Sequence, residues 1–268
     1  MMEAIPRSRV LVVEDDVISR QLVEVMLRNW SLEVVAVSSG QEALERFVAD
    51  RFDLIFLDIH MAGLNGYETC LKIREYEKVL AWKAIPIIAL TGSVLPEDKA
   101  RGRSVGMNDF LEKPLRIKNL QAILHHWLGS VAPSVPVSSF EESGVEVDLQ
   151  ILEVLRVELS KVPGAFAKIL GMFLVDLHEN RLKLQRASEA LDQATLFRIA
   201  HSMKSQCGAV GASSLRAVFI QIEQRLKSDH LEDIPGLLAQ VDAICLTLIP
   251  RLERIRDNPD ISLAMEVS

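Results

Sequence analysis

Five polar side chains stand where short apolar runs end: Glu14 and Asp15 after VLVV, Asp58 after LIFL, Thr91 after IIAL, and Lys113 after FLE. If those runs are neighbouring strands of one open sheet, three carboxylates, a hydroxyl and an ammonium meet beyond the strands' carboxyl ends, where such sheets bind ligands. Three like charges that close require a cation. Hard oxygen donors with few protein contacts suit Mg2+, which keeps waters and prefers phosphate oxygens. Thr91 and Lys113 then complete a cradle for a transferring phosphoryl group. Asp58 is the natural nucleophile, its carboxylate attacking phosphorus to give an aspartyl phosphate. Taken singly, Glu14 and Asp15 suit a helix cap and Asp58 a loop. Five such residues, each at a strand end, do not.

A second candidate lies in AHSMKSQCGAVGAS, residues 200–213. At helical spacing Leu196, Ala200, Met203, Cys207 and Val210 form one apolar stripe. His201 sits just off it, with Lys204 and Ser205 on the same side a turn later. A histidine on the flank of an amphipathic helix is ordinarily solvated or a cap, so this helix alone assigns it no chemistry.

The elements that must position these residues are readable from periodicity. VLVVE, LEVVAV, DLIFLD, IPIIALT and NDFLEK read as strands, separated by segments with a 3.6-residue period. Five such units predict a parallel sheet covered on both faces, doubly wound, with strand order 2-1-3-4-5. GSVAPSVPVSSFEESG, within 129–146, has no period and reads as a flexible linker. Beyond it no strand is expected. Helical segments near 147–159, 164–190, 193–210, 214–227 and 231–256 predict an all-α bundle of four longer helices after a short lead-in. The division is therefore 9–128, a linker at 129–146, 147–256, and a disordered tail at 257–268.

Composition excludes several classes. The 268 residues are 49% hydrophobic with net charge −7. Residues 1–128 carry 18 acids against 16 bases, and 147–256 carry 13 against 14, so neither part has the basic footprint of a nucleic-acid binder. No apolar run reaches the roughly 20 residues of a membrane span, and MMEAIPRSRVLVVEDD is not a signal peptide. Three cysteines without a CxxC pair suit a reducing cytosol. A cytoplasmic protein without membrane or nucleic-acid partners is expected. His125, His126 and His178 have no partner at metal spacing and read as solvated, His230 lies in a polar turn, and Trp30, Trp82 and Trp127 read as packing residues. No glycine-rich nucleotide loop is found, so the chain is expected to be a phosphoacceptor rather than an ATP-using enzyme.

Residues 9–128 resemble a two-component response-regulator receiver domain, of the flavodoxin-like α/β class, through VLVVEDD, LDIHMAGLNG, IIALTGS and FLEKP. The resemblance implies phosphorylation of Asp58 and Mg2+ held by Glu14, Asp15 and Asp58. It places the phosphoryl group on Thr91 and Lys113, and makes Phe110 the aromatic that rotates when the threonine moves. Ala62 and Gly92 depart from its usual proline and alanine, and His60 bears on the lifetime of the phosphoryl group. Asp16, which begins a helix, supports the site. AHSMKSQCGAVGA is similar to the active helix of a histidine phosphotransfer domain, with His201, Lys204 and Gly211 matching and Ser205 replacing a glycine. That implies His201 as phosphohistidine, Lys204 as partner of the phosphoryl oxygens, and Ser205, Gly208 and Ala209 as a small docking surface. Together the two imply a phosphorelay protein. A separate sensor histidine kinase supplies Asp58, and His201 exchanges phosphoryl groups with a downstream response regulator's receiver aspartate. A binding switch or a phosphate sink is the alternative.

Overall fold

A computed structural model describes residues 8–92, 96–113, 115, 117–129, 147–160, 162–228 and 230–259. Apart from Gly129, the segment read as a linker lies outside them, as does the tail beyond Pro259. The chain divides into two compact units, residues 1–138 and 139–268.

In the first unit the β-branched runs become five parallel strands, β1 (Arg9–Val13), β2 (Glu33–Val37), β3 (Leu54–Asp58), β4 (Ile87–Thr91) and β5 (Asp109–Glu112). Their order is β2-β1-β3-β4-β5, as expected. β3 and β4 are buried at every residue, which explains their unbroken apolar sequences: helices cover a parallel sheet on both faces. Those helices are α1 (Val17–Asn29), α2 (Gly40–Ala49), α3 (Gly66–Val79), α4 (Pro96–Ser104) and α5 (Ile117–Leu128). Their starts are set locally. Asp16 caps α1 by accepting from the Ser19 N–H, Ser39 caps α2, and Asn65 with Glu68 closes a capping box on α3. On one face of the sheet Leu11, Val13, Leu57 and Ala89 pack against Phe47 of α2 and Ile73 of α3.

The second unit contains α6 (Leu149–Leu159), α7 (Ala165–Glu189), α8 (Gln193–Ala209), α9 (Ser213–Lys227), a single turn at Leu231–Asp233, and α10 (Ile234–Asp257). α8 packs on α7 and α9, α10 packs on those same two helices, and α6 leads in against α7. The result is the expected bundle. The turn between α8 and α9 needs a glycine. Gly211 has φ +73°, and a Cβ there would lie 2.6 Å from the Asp148 carbonyl oxygen. The Asp148 N–H donates to the Gly211 carbonyl at 2.7 Å, tying the start of α6 to this turn. The stretch Leu231–Asp257 has the length and hydropathy of a membrane-spanning helix. Here its apolar residues Leu237, Val241, Cys245, Leu248 and Leu252 are buried.

Candidate functional site

Parallel pairing levels the ends of the central strands. Val13 of β1 lies beside Leu57 of β3, and Asp58 beside Leu90 of β4. The residues just beyond therefore share one end of the sheet. Glu14 and Asp58 are buried there, Asp15 is half-buried, and Thr91 and Lys113 are buried. One carboxylate oxygen from each of Glu14, Asp15 and Asp58 lies within 4.8 Å of the others. An all-oxygen trio of this spacing fits a hard divalent cation.

The electrostatics agree with that fit. Burial and the neighbouring Asp58 push the Glu14 carboxyl well above its ordinary value, with Lys113 opposing. Burial likewise raises Asp15, against the N–H of Ala62, which donates to its Oδ2 at 3.2 Å. Lys113 Nζ lies 2.6 Å from Glu14 Oε2 and 2.9 Å from Asp58 Oδ2. Burial opposes its charge, yet the two carboxylates overcome that and raise the ammonium pKa. Asp58 is thus held at both oxygens, because the His60 N–H donates to its Oδ1 at 3.1 Å. The imidazole of His60 is exposed. Gly66 lets α3 begin against the strand end, since a Cβ there would overlap the Asp58 carbonyl.

Phe110 is half-buried on β5. Its ring faces Gly102 of α4, where an added Cβ would sit 2.6 Å from the ring edge.

In the helical unit the apolar stripe Leu196, Ala200, Met203, Cys207 and Val210 is buried throughout, as its spacing predicts. His201 lies beside it with 14% of its side chain exposed. Its Nδ1 is 2.6 Å from Oε1 of Glu223 on α9, and Lys204 Nζ is 2.6 Å from Oε2 of the same carboxylate. Burial raises the Glu223 carboxyl, but hydrogen bonds and charge from His201 and Lys204 outweigh it and hold the pKa at about 2. Glu223 is therefore an acceptor only, so Nδ1 carries a proton, and in the neutral imidazole the lone pair is on Nε2. Phe197, one turn before His201, stacks near-parallel to the imidazole with ring centroids 6.1 Å apart. Lys227 Nζ lies 5.6 Å from the Phe197 centroid.

One expectation needs correction. Ser205 and Gly208 are not an outward docking surface: Ser205 is 5% exposed and Gly208 is buried. α8 is flanked by both α7 and α9, so its buried arc is wider than the single stripe seen in sequence; Ala209 is half-buried. Lys204, expected on the same side as His201, is 8% exposed and its ammonium is tied to Glu223.

The reading from sequence missed Glu223 itself. Its signal was a carboxylate within the apolar stripe Leu215, Val218, Phe219, Ile222 and Leu226. It also missed Arg20, whose Nη1 donates to the carbonyl oxygens of Glu14 and Asp15. The four remaining histidines are exposed, Trp30 is buried, and Trp82 and Trp127 are half-buried.

The chain is 30% identical over 233 residues to the sensor histidine kinase GacS of Pseudomonas protegens, covering 85% of this chain and 25% of that protein. It is 34% identical over 218 residues to the sensor histidine kinase AruS of Pseudomonas aeruginosa, covering 80% and 20%. It thus spans about a quarter of the length of such relatives, or less. Among solved structures, the receiver domain of the Pseudomonas aeruginosa sensor histidine kinase PA1611, with a magnesium ion in its active-site cleft, is 34% identical. That match covers 47% of this chain and all of the other, with TM-score 0.41. The family descriptions that match are "Response regulator receiver domain" at residues 10–125 and "Hpt domain" at residues 168–257. The chain therefore joins a response regulator receiver domain to an Hpt domain, in that order.

Proposed function

We propose that the chain is a phosphorelay protein that accepts a phosphoryl group on Asp58 and exchanges phosphoryl groups with a receiver aspartate through His201. The observation that carries this reading is the pairing of two acceptors of opposite character. One is a carboxylate in an acidic, cation-demanding pocket. The other is an imidazole whose Nδ1 proton is held by a carboxylate.

At Asp58, a carboxylate oxygen attacks the phosphorus of a phosphohistidine on a separate kinase. The O–P bond forms as the donor's N–P bond breaks, and the leaving imidazole keeps the electron pair. Glu14, Asp15 and Asp58 would hold Mg2+, which when bound neutralises charge on the phosphoryl oxygens. Lys113 and Thr91 hold those oxygens, and Phe110 reports the movement of Thr91. Lys113 already contacts Asp58, so its ammonium needs no long movement to meet the new oxygens.

At His201, the Nε2 lone pair attacks the phosphorus of an aspartyl phosphate. The N–P bond forms as the O–P bond breaks, and the carboxylate leaves with the electron pair. Nε2 carries no proton to lose, so the ring becomes a cation, and ionised Glu223 on Nδ1 offsets that charge. Lys204 acts through Glu223 by holding its second oxygen.

The test uses purified full chain, a cognate sensor kinase and a labelled phosphoryl donor. Acid-labile, base-stable label should disappear in His201→Gln, while label on Asp58 persists; Asp58→Asn should show the converse pattern with a receiver partner as donor. Downstream regulation that survives His201→Gln would replace the relay by a binding switch.

A further inference from the structure

We propose that Arg20 is a positioning residue for the cation site, a clamp that aims the Glu14 and Asp15 carboxylates at Asp58; the inference rests on the metal-site reading above. Arg20 lies in the first turns of α1, half-buried, and its chain runs back toward the strand end. A single nitrogen, Nη1, lies 2.6 Å from the Glu14 carbonyl oxygen and 3.1 Å from that of Asp15. The other side of the same loop is also fixed, since the Glu14 N–H donates to the Val37 carbonyl of β2 at 3.1 Å. The helix carrying Arg20 is anchored to the next residue of the loop, because Asp16 accepts from the Ser19 N–H at 2.8 Å.

The consequence follows from chain geometry. A carbonyl held in place fixes its peptide plane, and two successive planes fix the direction in which Glu14 and Asp15 project. Lys113 cannot serve this purpose for both acids, because its contacts run to Glu14 and Asp58. These Arg20 bonds go to main-chain oxygens and leave the carboxylate oxygens to a cation. Losing a group that orients metal ligands from behind typically costs roughly ten- to hundredfold in metal affinity.

Arg20 also brings a positive charge, and charge alone acts in the opposite sense. Removing a cation near three carboxylates tightens divalent binding, whereas removing a clamp loosens it. The guanidinium is partly solvated and turned to the carbonyl side, so screening weakens the charge effect and the clamp dominates.

The probe is Mn2+, titrated into full-length protein and followed by the electron paramagnetic resonance of the free ion, with thermal unfolding in chelator measured in parallel. Arg20→Met is expected to weaken Mn2+ binding about tenfold. Arg20→Lys, which keeps one donor on a shorter arm, should recover part of that loss. Tighter Mn2+ binding in Arg20→Met overturns the clamp in favour of simple repulsion. A lower melting temperature with unchanged Mn2+ affinity overturns it in favour of a structural role. Equal losses in the lysine and methionine variants overturn the claim that the donated bonds matter. Absence of Mn2+ binding by the unaltered protein removes the metal reading and the clamp together, and is distinguished by that control.

Discussion

Oε1 of Glu223 lies 2.6 Å from Nδ1 of His201, while its other oxygen lies 2.6 Å from the ammonium of Lys204. One buried carboxylate thus fixes the imidazole tautomer and satisfies a buried cation. The two roles separate by substitution. Glu223→Gln keeps an acceptor for Nδ1–H but removes the negative charge, so phosphotransfer should slow roughly tenfold to a hundredfold while the bundle stays folded. Glu223→Ala also strands Lys204 and should cost about 3 kcal/mol. Urea unfolding and the rate of label transfer to His201 read the two effects. A Glu223→Gln protein with unchanged transfer would sink the assigned role.

The same carboxyl gives a signed pH dependence. Its folded-state pKa of about 2 lies below the ordinary 4.5, so its stabilising contribution is fully present above about 4.5. It falls away as pH drops from there toward 2. The stability gap between unaltered protein and Glu223→Gln should therefore be constant near neutral pH and shrink across that acid window. A gap that instead narrows between pH 6 and 8 would place the linkage on another group.

Lys113 should matter to stability as well as to chemistry. Its ammonium bridges Glu14 and Asp58, both buried. Lys113→Met leaves those charges unpaired, which in a buried setting costs about 3 kcal/mol. A divalent cation can replace the missing charge, so Mg2+ should raise the variant's melting temperature more than that of the unaltered protein. Melting curves in Mg2+ and in chelator check this. A variant indifferent to chelation would mean that the acid trio does not hold the ion.

Most of the fold was legible because burial writes itself into sequence. β3 and β4 are apolar without interruption because both faces are covered. Asp16 reads as the start of a helix in the sequence, and it caps α1. The acid site was legible because each member ends a strand, and strand order brings ends together. What stayed hidden depends on pairing between helices. Glu223 acquires meaning only when α9 lies against α8, and Ser205 looks outward until α7 and α9 enclose it. Arg20 has the sequence signature of a surface cation, and only the path of its side chain back to the Glu14 carbonyl shows otherwise.

Ser205 turns that lesson into a measurement. With 5% of its surface exposed, its side chain has no room for a guanidinium. Ser205→Arg should destabilise the bundle by roughly 3 kcal/mol, as expected for a forced buried charge. Loss of transfer would then accompany loss of structure, visible as a lowered urea midpoint. An unchanged midpoint with abolished transfer would restore the docking-surface assignment.

Gly102 and Phe110 supply a test of how the α4 side of the sheet is built. A Cβ at Gly102 would lie 2.6 Å from the Phe110 ring and 3.2 Å from Met107 Sδ. Gly102 belongs to α4, where alanine would ordinarily stabilise by about 1 kcal/mol through helix propensity. In the unaltered background the collision should outweigh that gain, since overpacking typically costs 1 to roughly 3 kcal/mol. Gly102→Ala alone should therefore be destabilising. Combined with Phe110→Ala, the obstacle is gone and the same change should turn neutral or stabilising, a non-additivity on the order of 1 kcal/mol or more. Methyl resonances of labelled methionine give an independent reading, because the Met107 signal should shift in the single variant if the ring is displaced. If the ring position also governs the receiver's output, Gly102→Ala should alter partner binding without phosphorylation, in the direction produced by phosphorylating Asp58. Additive energies and an unmoved Met107 signal would show that the ring yields without cost and that Gly102 is not what holds it.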